Sequence, residues 1–148
     1  MRELAALLAP ARSLFLTGRG ASLAAVGAGA LILKESTRMH AEGMSAPSFR
    51  HGPLEMCGPH LAVFAYEGDV ATVALNRLLV ADVRAAGGVA ALVGPSAESA
   101  ALRLPVVESP LRPLFEMPPA QMISLALAAR QGREPGRFER ATKVTIVA

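Results

Sequence analysis

Tryptophan is absent from the 148 residues, tyrosine occurs once, phenylalanine five times, and aromatics total 4%. With the arginines scattered except near the C-terminus, a nucleic-acid surface is not expected. The net charge of +3 reads as solubility with a mild preference for anionic ligands. Cysteine is reduced to Cys57, which can form no internal disulfide and supplies no metal pair. A reducing, cytoplasmic setting follows as the expectation, without metal or cofactor, and Cys57 reads as a small buried hydrophobe rather than a nucleophile. Long apolar runs are missing too. The stretches Gly20 to Leu33 and Met117 to Ala129 are cut by charge before the roughly 18 residues that a membrane-spanning helix needs. Glu3 and Pro10 interrupt what would be the apolar core of a signal peptide.

Charge is scarce at 18%, whereas apolar residues make up 52%, too many for a disordered chain. The length suits one domain, residues 1–148, able to bury roughly two thirds of its unfolded surface. Lysine is the rarest charge: 13 of the 15 cationic residues are Arg, leaving only Lys34 and Lys143. In such a chain a retained lysine marks a place where a small, tunable amine is wanted. Chance survival explains each of them equally well.

Hydrophobic patterning predicts alternating elements. A short helix over Arg2 to Ala11 precedes a buried strand at Ser13 to Thr17, closed by Gly18-Arg19-Gly20. Ser22 is a candidate cap for a helix from Leu23 to Met39 with Leu23, Val26, Ala30 and Leu33 on one stripe. Ala41 to Ser45 is a short apolar piece leading to the loop Phe49-Arg50-His51-Gly52-Pro53. Further strands are predicted at Leu61 to Tyr66, Val89 to Val93 and Leu104 to Glu108, and helices at Ala71 to Ala86 and Ala120 to Arg130. Short apolar strands alternating with helices imply an α/β fold with a parallel sheet between helical layers. Such sheets bind ligands at the carboxyl ends of their strands.

Among residues able to do chemistry, Glu35 shares a helix face with Ala24, Ala28 and Leu31. A carboxylate among small apolar neighbours is held towards its protonated form, which suits a general base. The alternative is an exposed glutamate paired with Arg38. His51 sits in a loop whose Gly and Pro constrain an imidazole able to act near neutrality; His40 at a helix end and His60 before a strand have weaker claims. Gly18, Arg19, Gly20 and Ser22 place flexible backbone and a helix start at a strand's carboxyl end, a possible anion cradle that a tight turn explains equally well. Lys143, beside Thr142, lies in a tail that can fold back and bring an amine to a pocket. Arg130, Arg133, Arg137 and Arg140 form either a wet helix end or an attractor for a phosphorylated ligand.

Four segments in one order resemble the sugar isomerase (SIS) family, specifically the second of the paired SIS domains in phosphosugar isomerases and deaminases. Gly18-Arg19-Gly20 is similar to the family's GRG turn, Gly29-Ala30-Leu31-Ile32-Leu33-Lys34-Glu35 to its GALKLKE helix, and His40-Ala41-Glu42 with His51-Gly52-Pro53-Leu54 to its HAE and HGPL elements. Ala141-Thr142-Lys143-Val144-Thr145 resembles its closing tail. The resemblance implies a flavodoxin-like, doubly wound three-layer sandwich acting on phosphorylated hexoses without a metal. It implies that Glu35 moves a proton between C1 and C2 of the open-chain sugar and that His51, often supplied by a neighbouring subunit, helps open the ring. Lys143 then serves the sugar carbonyl, with Gly18, Arg19, Gly20, Ser22 and Thr142 at substrate-binding positions and the tail 133–148 over the site.

The departures are specific. The Ser/Thr-rich phosphate loop of the family's first SIS domain has no counterpart, Ile32 replaces a second lysine, and Phe138-Glu139 stands where the tail usually carries proline-arginine. The expectation is thus a sugar-phosphate isomerase or deaminase domain completed by another SIS domain or by a homo-oligomer, most simply a dimer, without nucleic-acid or membrane partners. The alternative is a non-catalytic sugar-phosphate-binding regulatory module. A third, structural dimerisation role predicts no response to sugar phosphates.

Overall fold

A computed structural model describes residues 2–137, 139 and 140. In chain order the elements are α1 (Arg2–Leu7), β1 (Ser13–Gly18), α2 (Leu23–Thr37), β2 (His40–Ser45), α3 (Ala46–Arg50), β3 (Leu61–Tyr66), α4 (Val70–Ala85), β4 (Val89–Val93) and α5 (Arg112–Arg130). The four strands form one parallel sheet in the order β2-β1-β3-β4. Leu14 lies opposite Ala41 on one side and Ala62 on the other. The chain winds outward from β1 to β2, then crosses back to β3 and on to β4. The winding therefore reverses between β1 and β3, where the loops after both strands diverge.

Two-residue alternation divides the buried side chains between the two faces. Leu14, Leu16, Ala62, Phe64 and Tyr66 pack with α1, α2 and α5, whereas Phe15, Val63 and Ala65 pack with Phe49 of α3 and Leu79, Val80 and Val83 of α4. This is the expected α/β three-layer arrangement. A close approach occurs at Gly29 of α2: a Cβ there would stand 2.8 Å from Cβ of Ala120 on α5 and 2.8 Å from Cδ2 of Leu16 on β1. Among the described residues no helix is long and apolar enough to cross a membrane.

Several boundaries differ from the sequence reading. The strand expected at Leu104 to Glu108 does not form; only Arg103 bridges to Gly94, and Pro105 offers no donor to extend the ladder. Ala41 to Ser45 instead belongs to β2, an edge strand half open to solvent, which hides the apolar pattern of a buried strand. α2 stops at Thr37 because Arg38 adopts the left-handed conformation (φ 54°, ψ 18°), so His40 opens a strand rather than ending a helix. α5 begins at Arg112, not after the prolines. Pro118 and Pro119 lie inside it and deprive the carbonyls of Leu114 and Phe115 of helical donors. Burial of Glu116, Pro119, Ala120 and Ile123 holds the helix together through that interruption.

Candidate functional site

Two concave regions lie at opposite ends of the sheet. At the carboxyl end, Gly18, Arg19, Gly20 and Ser22 link β1 to α2, with Gly20 in the left-handed region (φ 55°) that favours glycine. The Arg19 and Ser22 side chains are engaged within the fold. Arg19 Nε donates to Asn76 Oδ1 at 3.1 Å, and Asn76 Nδ2 donates to the carbonyls of Tyr66 (2.8 Å) and Glu67 (3.0 Å). Asn76 thereby ties the loops after β1 and β3 together. Ser22, fully buried, makes no capping bond to α2; its Oγ donates to Glu116 Oε1 at 2.9 Å.

Glu116 is only 3% exposed, and its Oε2 has no hydrogen-bond partner among the described residues. Burial pushes this carboxyl up to about 7; the Ser22 bond and Arg112 oppose the shift and Asp69 adds to it. Burial, with Glu116 close by, likewise holds the Tyr66 phenol above its ordinary range. A cavity of about 440 Å³ adjoins this region, walled largely by Val70, Val73, Val106 and Phe115 and edged by ion-paired Arg112 and Arg77.

The second region is at the other end of α2. Glu35 is thirteen residues beyond Ser22, about 20 Å along the helix axis. It lies in a depression of about 410 Å³ formed by Lys34, Glu35, Arg38, Met39 and His40 on one side and Arg137, Glu139 and Arg140 on the other. Arg38 forms an ion pair with Glu139, which also meets Arg133 at 3.4 Å. Arg38 holds the exposed Glu139 carboxyl below its ordinary range. Cations outnumber carboxylates around Glu35.

The expected apolar niche for Glu35 is open in this chain, because Glu35 is exposed and so are Ala24, Ala28 and Leu31 on the same face. His51 is also exposed, at the end of α3, with its backbone N–H donated to Ser48 O at 3.1 Å. α2 and α3 cover opposite faces of the sheet. One chain therefore does not bring Glu35 and His51 together, nor Glu35 and the Gly18–Ser22 turn. Thr142 and Lys143 lie outside the described residues. Cys57 is half-buried, and burial raises its thiol, consistent with an inert side chain.

Sequence reasoning overlooked Glu116 and Asn76, and named Arg38 only as a partner for Glu35. Glu116 was legible as a lone carboxylate between Phe115 and Met117-Pro118-Pro119. Asn76 was legible as a polar residue at the helical spacing of inward-facing Leu79, Val80 and Val83. Arg38 carried no such sign, since only its dihedral angles set it apart.

Residues 7–130 match the family described as SIS domain. The chain belongs to the SIS domain family. Its relatives include the glutamine–fructose-6-phosphate aminotransferases (isomerizing) of Arabidopsis thaliana, 30% identical over 89% of this chain, and of Pyrococcus horikoshii, 30% identical over 99%. This SIS domain spans only 21% and 25% of those two proteins. In three dimensions it resembles glucosamine-6-phosphate deaminase from Thermotoga maritima with a TM-score of 0.77 at 18% identity, over 93% of this chain and 45% of that one. That likeness shows a shared fold.

Proposed function

We propose that this SIS domain contributes the proton-transferring half of a sugar-phosphate isomerase or deaminase site, and that a second SIS domain, in a longer chain or a second copy, completes it. The observation that carries this reading is Glu35, a carboxylate on a cation-rich depression at the end of an apolar helix face. Leu23, Ala24, Gly27, Ala28 and Leu31 run along α2 towards Glu35, all exposed. A partner packed on that face would bury the stripe and exclude water from Glu35. Relatives four to five times longer than the match have room for such a partner.

In the proposed reaction the Glu35 carboxylate takes the proton from C2 of the open-chain aldose to give an enediolate, the hydroxyl proton on O2 passes to O1, and the same carboxyl returns its proton to C1, leaving the C2 ketone. No net acid or base is consumed. His51 from a neighbouring domain assists ring opening, which accounts for its separation from Glu35 within one chain. The family resemblance gives Lys143 a role at the sugar carbonyl; in a deaminase, water adds to C2 of the isomerised imine and ammonia leaves from that carbon. The surplus of positive charge favours a phosphorylated substrate.

The test is proton NMR of fructose 6-phosphate and glucosamine 6-phosphate in deuterated buffer with this chain, alongside Glu35→Gln. Loss of the C1 or C2 hydrogen signal with the natural chain and not with the variant supports the reading. Ligand-dependent shifts of protein signals without any hydrogen exchange would instead favour a binding module.

A further inference from the structure

The cavity of about 440 Å³ lies where the loops after β3 and β4 meet the start of α5. That is the carboxyl end of parallel strands, the place where such sheets receive ligands, and the volume is that of a small-molecule site. It shares no residue with the Glu35 depression. Its lining grades from Val70 and Val106 at the mouth, 92% and 85% exposed, to Glu67 and Glu116 at the inner end, each 3% exposed.

The charges around it are matched. Glu67 accepts from the Ser96 N–H at 3.3 Å and from the Ser96 hydroxyl, while Arg77 donates to Ser96 Oγ at 2.7 Å and lies 3.7 Å from Glu67. Arg112 donates to Asp69 and, at 3.4 Å, to the carbonyl of Val107. Two guanidinium groups thus stand against two carboxylates, and a charged ligand finds no counter-ion to spare. Most of the remaining wall is apolar, with Val73, Leu104 and Phe115 on its sides.

One polar atom is left over, Oε2 of Glu116. Its sister oxygen accepts from Ser22, so the proton that burial retains on this carboxyl sits on Oε2, a donor without an acceptor among the described residues. A buried donor left unmade destabilises the fold, and a bound acceptor relieves it. Glu116 is faced by Ser22 on the β1 turn, the Tyr66 phenol on β3, Asp69 ahead of α4 and Arg112 on its own helix, with Glu67 and Arg77 along the same cavity.

We infer that this cavity is a second ligand site of the domain, taking a compact, uncharged, largely apolar molecule whose acceptor oxygen receives a hydrogen bond from Glu116. A sugar phosphate, anionic and polar on every side, is the wrong chemistry for these walls. The site therefore stands or falls without the isomerase reading.

The experiment titrates the full chain with acetophenone and with ethylbenzene, which has nearly the same shape and no oxygen, following protein amide shifts by NMR at pH 6 and pH 8.5. Benzoate and benzylamine serve as charged controls. At pH 6 acetophenone should bind at least about fivefold more tightly than ethylbenzene, the worth of one neutral hydrogen bond, and more tightly than either charged control. At pH 8.5 it should bind the natural chain at least about threefold more weakly, whereas Glu116→Gln, whose amide donates at either pH, should bind equally at both. Ala74→Leu fills the cavity from the exposed face of α4. It should weaken acetophenone binding about tenfold or more while leaving the urea midpoint in place. Equal affinity for acetophenone and ethylbenzene, a pH dependence that survives Glu116→Gln, or binding undisturbed by Ala74→Leu overturns the inference, as does displacement of acetophenone by glucose 6-phosphate.

Discussion

Ser22 and Glu116, ninety-four residues apart in sequence, meet through a 2.9 Å hydrogen bond inside the protein, joining the turn after β1 to the second turn of α5. Because Glu116 is buried with one oxygen unpartnered, it keeps a proton that the unfolded chain releases near 4.5. The folded state thus binds more protons between about 4.5 and 7, and stability falls as pH rises through that window, then levels off. A shift to about 7 corresponds to about 3 kcal/mol. Glu116→Gln should be the more stable protein at pH 8, and its urea midpoint should vary less between pH 5 and pH 8 than that of the natural chain. An identical pH dependence in both would remove Glu116 as the cause.

Glu35 and His51 on opposite faces of the sheet yield a mixing prediction. If the working site draws these two residues from different copies of this chain, Glu35→Gln and His51→Asn should each abolish proton exchange. Mixed after joint refolding, the two should recover about a quarter of the natural rate, because half of random dimers are mixed and each mixed dimer has one intact site. No recovery on mixing would show that a second copy does not supply the histidine.

Gly29 fills the narrowest gap between α2, α5 and β1. Alanine gains about 1 kcal/mol of helix propensity there, but its methyl must displace Ala120 or Leu16. Gly29→Ala should therefore cost about 1–2 kcal/mol net, seen as a lower urea midpoint at unchanged m-value. A stabilised variant would mean that α2 and α5 separate easily.

Arg130, the last residue of α5, donates through Nη1 to Leu8 O at 2.9 Å and through Nη2 to Ala9 O at 3.2 Å. These bonds serve carbonyls just past α1, of which Leu8 O also accepts from Ala11 N–H at 3.1 Å. Arg130→Met keeps most of the aliphatic stem and removes the donors. It should cost about 1–2 kcal/mol and speed amide exchange in α1 selectively. Uniform exchange changes over the whole chain would count against a local clamp.

What the sequence disclosed follows from which signals are local. Strands β1, β3 and β4 were legible because both faces of each are covered, so apolar runs bounded by glycine mark them directly. β2 was not, since its outer flank is open and its Glu42 and Gly43 are exposed. The first turns of α5 escaped because prolines normally end a helix, and only burial against α2 and the β1 turn sustains this one. At the site, motif spacing singled out Glu35 and His51 but carried no information on the sheet faces that separate them. The Ser22–Glu116 bond and the Arg38–Glu139 pair join distant segments, which no local pattern announces.

The Arg130 clamp also brings the first and last helices together. Residues 2–130 therefore form a unit whose first and last helices are neighbours on the surface. Such a unit can be spliced into a host protein as a cassette, or have its ends joined by a short peptide and be reopened at the Gly87-Gly88 turn, without disturbing the sheet. Duplication of the unit in tandem then needs only a brief connector.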